Sequence, residues 1–215
     1  MNVYFISGLG ADRRAFERIQ LPAQFSIHHL DWIEPVKDES LNDYAMRLAN
    51  GVDTSAPFAI VGLSMGGMIA SELAQRLRPK KTVLISSIGC TKEFPPLLKF
   101  ALKTQAHKIL PDFLFRPQNL FFVQRLMGTK LKGQKALLQY FISQTNPQFI
   151  RWAINAIINW KNCERPANLY HIHGSGDKMF PLKYTKPDAV IKNGSHFMVW
   201  AKSGEVSKKL AEALT

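Results

Sequence analysis

The segment AIVGLSMGGMIA, Ala59 to Ala70, places one serine inside an apolar run, with a glycine two residues away on either side. Its first part, with Phe58, is continuous and apolar, the pattern of a strand buried on both faces. From Met65 to Leu77 the apolar residues fall at helical spacing. A strand that passes at once into a helix forces its tip residue into a strained backbone conformation. Glycines at 62 and 66 remove the Cβ atoms that would strike neighbouring main chain there. Ser64 is therefore expected to stand exposed at the tip, over the free amides of the helix's first turn. The competing reading is an ordinary tight turn, and the surrounding sequence has to separate the two.

Outward from this segment the chain alternates. Val3–Gly8, FSIHHLDW (from Phe25), FAIVG (from Phe58) and KTVLISS (from Lys81) read as short apolar strands. Between them, ADRRAFERI reads as a helix capped by Asp12, and SLNDYAMRLANG as a helix capped by Ser40 with Gly51 beyond its end. Strands alternating with helices predict right-handed crossovers and a mostly parallel sheet covered on both faces. From residue 91 to 165 the strands stop. Helical spacing takes over in LLKFALKTQAHKIL, QNLFFVQRLMG, QKALLQYFISQ and PQFIRWAINAIINW, with prolines between the pieces. Alternation returns in NLYHIHG and DAVIKNGSH, followed by a final helix from about Gly204. The expected organisation is an α/β core of residues 1–90 and 166–215 with a helical cap, 91–165, inserted over one end of the sheet.

The chain has 215 residues, enough for one domain with such an insertion. It contains no apolar run of eighteen residues, so no membrane span is expected. The first residues lack a basic n-region, and two cysteines, Cys90 and Cys163, are too few for a disulfide framework. Both features predict a cytoplasmic protein. The net charge of +12 is unevenly placed. Residues 1–90 are balanced, whereas 91–165 hold twelve basic and three acidic side chains. A basic field there could draw in an anionic substrate. No nucleic-acid-binding motif accompanies it, so no nucleic acid is expected as a partner.

A serine hydroxyl needs a base, and the base needs an orienting acid. Of six histidines, His28 and His29 read as surface or core-edge residues and His107 as a solvated face of the insertion. His171 and His173 share one side of a strand but have no third ligand at suitable spacing, so no metal is expected. His196 differs: in NGSHF it follows a strand and opens toward the last helix. Asp177 lies in the glycine-rich loop of HGSGDKMFP. Ser64, Asp177 and His196 thus each follow a different strand, and a parallel sheet brings such loops to one edge. An oxyanion formed at Ser64 would find the Met65 amide and one from the glycine loop SGLGAD, Leu9 first and Gly10 as substitute.

With SGLGAD, GLSMGG, HGSGDKMFP and NGSHFM in this order, the chain resembles the α/β-hydrolase superfamily, in its branch of small serine esterases and lipase-like hydrolases. The resemblance covers nearly the whole chain. It implies a Ser64–His196–Asp177 triad, an oxyanion hole from Leu9 and Met65, no cofactor, and a helical cap where 91–165 lies. It also implies three departures. The chain opens at what would be the family's third strand, the interval from Asp177 to His196 is too short for the usual helix, and Ser7 stands where many relatives have histidine. A serine at the elbow argues against epoxide opening and halide displacement, which use a carboxylate there. The expected function is hydrolysis of a small-molecule carboxylic ester or thioester, with an anionic leaving group favoured. The alternatives are a lyase reaction at the same triad and a binding protein for hydrophobic small molecules with little turnover.

Overall fold

A computed structural model describes residues 1–96, 99–100 and 120–215. Six strands, β1 (Asn2–Ile6), β2 (Ser26–Leu30), β3 (Phe58–Leu63), β4 (Lys81–Ile85), β5 (Leu169–Gly174) and β6 (Ala189–Ile191), form one sheet in the order β2-β1-β3-β4-β5-β6. Every pair is parallel. The register sets Ile6 opposite Gly62, and Leu63 opposite Ile85, so these strands end level with one another. The residues that follow them, from Ser7, Ser64 and Ser86, therefore emerge along one edge. Strand order reverses between β1 and β3, which makes that point the natural crevice of an open parallel sheet. The glycine loop and the serine turn follow those two strands.

Helices cover both faces, as the uniformly buried β3 requires. Tyr4, Ile6, Ile60 and Leu84 point to one face, where α1 (Leu41–Leu48) and α2 (Met65–Leu77) pack with Tyr44, Met68 and Leu73. Val3, Phe5, Val61 and Ile85 point to the other, covered by α6 (Met198–Ala201) and α7 (Ser203–Leu214) through Val199, Val206 and Leu210. Each large apolar side chain so enclosed contributes about 1.5–3 kcal/mol relative to exposure. Ser40 caps α1, its hydroxyl accepting from the Asp43 amide at 3.1 Å.

ADRRAFERI does not form the expected α-helix. Asp12 caps it, but only a 3-10 turn at Arg13–Phe16 follows. Phe16 and Ile19 both join the core of the second face. The Ile19 amide donates to the Phe16 carbonyl at 2.9 Å, so the same three-residue spacing continues past the turn and aligns both side chains within a segment too short for a stable helix.

Segment 91–165 leaves the sheet after β4 and returns before β5. Its ends meet: the Thr91 amide donates to the Asn162 carbonyl at 2.8 Å, and Arg165 pairs with the buried Glu93. Glu93 also accepts from the Gly89 amide at 2.9 Å. Between these ends lie α3 (Leu120–Met127), α4 (Lys132–Gln144) and α5 (Pro147–Ile158), and among the described residues the segment holds no strand. α5 lays Phe149, Trp152 and Ala156 into the α1/α2 face, while Phe141 of α4 joins the opposite face. The insertion thus straddles the edge where the strands end. The stretch LLKFALKTQAHKIL and His107 lie largely or wholly outside the described residues. Among the described residues no helix is long and apolar enough to cross a membrane.

Candidate active site

Ser64 has φ +52° and ψ −120°, in the left-handed half of conformational space although it is not glycine. Such a residue costs on the order of 1–3 kcal/mol and persists only where its surroundings hold it. The hold is visible. The Ser64 amide donates to the Ile85 carbonyl at 3.0 Å, and its own carbonyl accepts from the Gly67 amide at 2.9 Å and from Ser87 Oγ at 2.6 Å. A Cβ on Gly62 would lie 2.2 Å from the Gly66 carbonyl oxygen, and one on Gly66 would lie 2.3 Å from those of Ile6 and Ser7. Both contacts are with main chain that cannot withdraw.

The three residues singled out in the sequence meet here. His196 Nε2 lies 2.9 Å from Ser64 Oγ, and His196 Nδ1 lies 2.8 Å from Asp177 Oδ2. The ionised carboxylate only accepts, so Nδ1 carries the proton and Nε2 turns its lone pair to the serine. Ser64 is half-buried, and His196 and Asp177 are almost fully enclosed. Asp177 Oδ1 accepts from the amides of Met179 and Phe180 at 2.8 and 2.9 Å, which leaves Oδ2 for the imidazole. Burial alone would push the Asp177 carboxyl up. The charge and hydrogen bond of His196, the Phe180 amide and nearby His173 outweigh it and hold the carboxyl below its ordinary value. Backbone contact draws the two loops together: the Gly176 amide donates to the Gly194 carbonyl at 2.8 Å, and a Cβ on Gly174 would sit 2.2 Å from that same oxygen.

Gly8, the residue before Leu9, and Met65 adjoin Ser64. The Ala11 amide closes a turn onto the Gly8 carbonyl at 2.9 Å, with Leu9 and Gly10 at its centre and Gly10 at φ +72°. A Cβ built on Gly8 would lie 3.3 Å from Ser64 Cβ, so this turn runs beside the serine. Met65 opens α2, where a helix has no internal partner for its amide.

His28 is exposed and bonds Asn2 at 3.2 Å, and His29 is half-buried. His171 and His173 are wholly buried and touch, Nε2 to Nδ1, at 3.0 Å. His173 Nε2 lies 2.7 Å from the Phe180 carbonyl, to which it donates, so its Nδ1 accepts from His171. Both rings are neutral: burial lowers His173, and burial together with His173 and Arg165 lowers His171 further. The pair supports the loop carrying Asp177. Sequence reading missed this support, and it missed Ser87, whose only signal was a second serine after β4.

A cleft of about 810 Å³ runs between residues 34–41 and α5 and is lined by none of Ser64, Asp177 or His196. A smaller one, about 280 Å³, borders Gly10 and Ala11, with Trp32, Phe141, Thr145 and Phe149 around it. It too is lined by none of Ser64, Asp177 or His196, but it adjoins the glycine loop.

A family model described as the alpha/beta hydrolase family matches residues 3–208. No curated protein matches the sequence. Among solved structures, a thermophilic esterase from Thermogutta terrifontis superposes with a TM-score of 0.73 at 15% identity, over 100% of this chain and 89% of its own. A hydrolase from Oleispira antarctica gives 0.71 at 14% over 98% and 89%, and one from Pseudomonas aeruginosa PA01 gives 0.69 at 13% over 99% and 89%. At these identities the likeness is one of fold.

Proposed function

The chain belongs to the alpha/beta hydrolase family, and from that premise we propose that it is a serine hydrolase of carboxylic esters or thioesters. The observation that carries the reading is the continuous line Asp177 Oδ2–His196–Ser64 Oγ, with both links under 3 Å. Ser64 Oγ attacks the substrate carbonyl carbon while its proton passes to His196 Nε2. The carbonyl oxygen takes up the negative charge and is stabilised by the amides of Leu9 and Met65, Gly10 standing in if the turn shifts. The imidazolium then protonates the departing alkoxide or thiolate, leaving an acyl group on Ser64. Water, deprotonated by the same His196, hydrolyses that ester and restores the serine. Asp177 holds the imidazole in its tautomer and offsets its charge at each step.

The substrate reading draws on two further features. Cleft residues Trp32, Phe141 and Phe149 offer an apolar wall beside the glycine loop, suited to an acyl chain. The excess of positive charge in 91–165 favours an anionic leaving portion. The esterase named among the structural relatives supports ester cleavage as the reaction to try first.

The decisive experiment assays the purified protein on p-nitrophenyl esters of graded acyl length and on acyl-CoA thioesters, beside Ser64→Ala, with labelling by a fluorophosphonate probe. Turnover and labelling should both be lost in Ser64→Ala, by roughly 10⁴-fold or more in rate. Equal rates in the two proteins, or no labelling of either, would overturn the proposal.

A further inference from the structure

One inserted helix touches both halves of the site. At the start of α4, Gln134 is 1% exposed. Its Oε1 accepts from the amides of Lys130 and Leu131 at 3.1 and 3.2 Å, and its Nε2 donates to the Phe197 carbonyl at 3.1 Å. The Phe197 amide in turn donates to the Met127 carbonyl at 3.2 Å. On the other side of His196, Ser195 is packed so closely against Gly128 that a Cβ there would lie 2.5 Å from the Ser195 Cβ. Both neighbours of His196 thus rest against the insertion, in addition to the Gly176–Gly194 bond that ties their loop to that of Asp177. Further along α4, Phe141 sets its ring edge-on to Phe197 at 6.4 Å between centroids.

The other end of α4 reaches the glycine loop. Thr145, its C-terminal cap, places Oγ1 2.6 Å from the Phe141 carbonyl and 3.0 Å from the Gly10 carbonyl. Its single proton is shared between the helix end and the loop. Gly10 is in the left-handed region, and a Cβ on it would lie 2.9 Å from Thr145 Oγ1. Tyr140 adds a second tie, since the Arg14 guanidinium sits over its ring at 3.8 Å. A helix of this length spans roughly 20 Å, so its ends can hold the two loops at a fixed separation.

We propose that α4 is a brace that sets the position of His196 relative to the Leu9–Gly10 turn, with Gln134 and Thr145 as the positioning residues at its two ends. The proposal rests on the catalytic reading of Ser64, His196 and Leu9 given above. Neither side chain takes part in the chemistry. Each acts through main chain: Gln134 through the Phe197 carbonyl, Thr145 through the Gly10 carbonyl. The sheet fixes Ser64 and Asp177, and the brace fixes the two elements that the sheet leaves to loops.

Thr145→Val exchanges the hydroxyl for a methyl of the same shape, Thr145→Ser keeps the hydroxyl, and Gln134→Glu keeps both acceptor bonds while removing the donor to Phe197. The p-nitrophenyl ester that the wild-type protein turns over fastest serves as substrate, and backbone amide exchange is read over residues 8–12 and 195–199. Thr145→Val and Gln134→Glu should each lower kcat about tenfold, with KM within twofold, and Thr145→Ser should restore kcat to within twofold. Exchange should quicken at 8–12 in Thr145→Val and at 195–199 in Gln134→Glu. Should Thr145→Val fail to fold, Gln134→Glu carries the same test at the other end. Unchanged kcat in folded variants, equal losses in Thr145→Ser and Thr145→Val, or exchange unaltered at both ends would overturn the brace. If the wild-type protein neither hydrolyses an ester nor takes up the fluorophosphonate, the catalytic reading fails, and exchange alone then decides whether α4 holds the loops.

Discussion

Ser87 Oγ donates a 2.6 Å hydrogen bond to the carbonyl of Ser64, so the strained turn that carries the hydroxyl is pinned from the neighbouring strand. Ser87 follows β4, which lies beside β3 in the sheet. The Gly67 amide reaches the same carbonyl from within α2. Two donors on one carbonyl fix the peptide that follows Ser64 and so restrict rotation of its backbone.

Ser87→Ala should therefore cost about 1 kcal/mol of stability, the net worth of one such bond, and lower the melting temperature by about 2–4 °C. The fluorophosphonate labelling rate should fall several-fold, because the turn gains freedom around Ser64. Calorimetry and labelling kinetics check both. A variant with unchanged melting and labelling would show that Gly67 alone suffices.

Glycine substitutions should divide by what the new Cβ meets. Gly62→Ala and Gly66→Ala place that atom within 2.3 Å of main-chain carbonyl oxygens, and neither should yield folded protein. Gly204→Ala, in the first turn of α7, meets nothing within 4 Å and should stabilise by about 0.5 kcal/mol through helix propensity. Soluble yield and melting temperature separate the two classes. A well-folded Gly66→Ala would contradict the close packing of the turn.

These contrasts show which parts of the molecule were legible in its sequence. Glycines at 62 and 66 announce a local steric demand, and a local demand can be read from neighbours in the chain. The helix at Met65–Leu77 is legible because Met65, Met68, Ile69, Leu73 and Leu77 recur at helical spacing. Asp177 and His196 were legible from position, each following a strand in a chain that alternates. By contrast, the bond of Ser87 to Ser64 depends on how α2 and β4 pack, and that of Thr145 to Gly10 spans 135 residues of chain. No periodicity encodes either. The 3-10 turn at Arg13–Phe16 was misread as a helix because its capping residue is the same in both forms, and packing of Phe16 and Ile19 made the choice.

Buried His171 and His173 should make the protein labile to mild acid. Both are held neutral in the folded state, His171 well below the ordinary value of 6.5. The unfolded chain takes up protons on these rings as pH falls below about 6.5, and the folded chain refuses them. Stability is therefore full above that pH and falls below it, by up to about 1.4 kcal/mol per pH unit for each ring. Asp177 adds a loss of the same sense at lower pH: its carboxyl is held below 3.8, so its contribution disappears only in stronger acid. His171→Gln, whose amide can still donate to His173, should reduce the loss between pH 6.5 and 5 by about half. Urea midpoints at several pH values measure it, and parallel curves for the two proteins would exclude this origin.

Asp177→Asn should abolish the base without disturbing the loop. Oδ1 of residue 177 accepts from the Met179 and Phe180 amides, so the asparagine oxygen must take that place, since an NH₂ group there would face two donors. The NH₂ is then compelled toward His196 Nδ1. Nδ1 can meet a donor only as an acceptor, so the ring proton moves to Nε2 and points at Ser64 Oγ, where a lone pair is required. The labelling rate should fall by roughly 10⁴-fold, while the melting temperature should fall by only a few degrees, about 1–2 kcal/mol for the lost charge-assisted bond. Asp177→Ala removes the acceptor of both amides as well and should lower the melting temperature further than Asp177→Asn. If the asparagine variant kept wild-type labelling, the hydroxyl of Ser64 would have to lose its proton to some group other than His196.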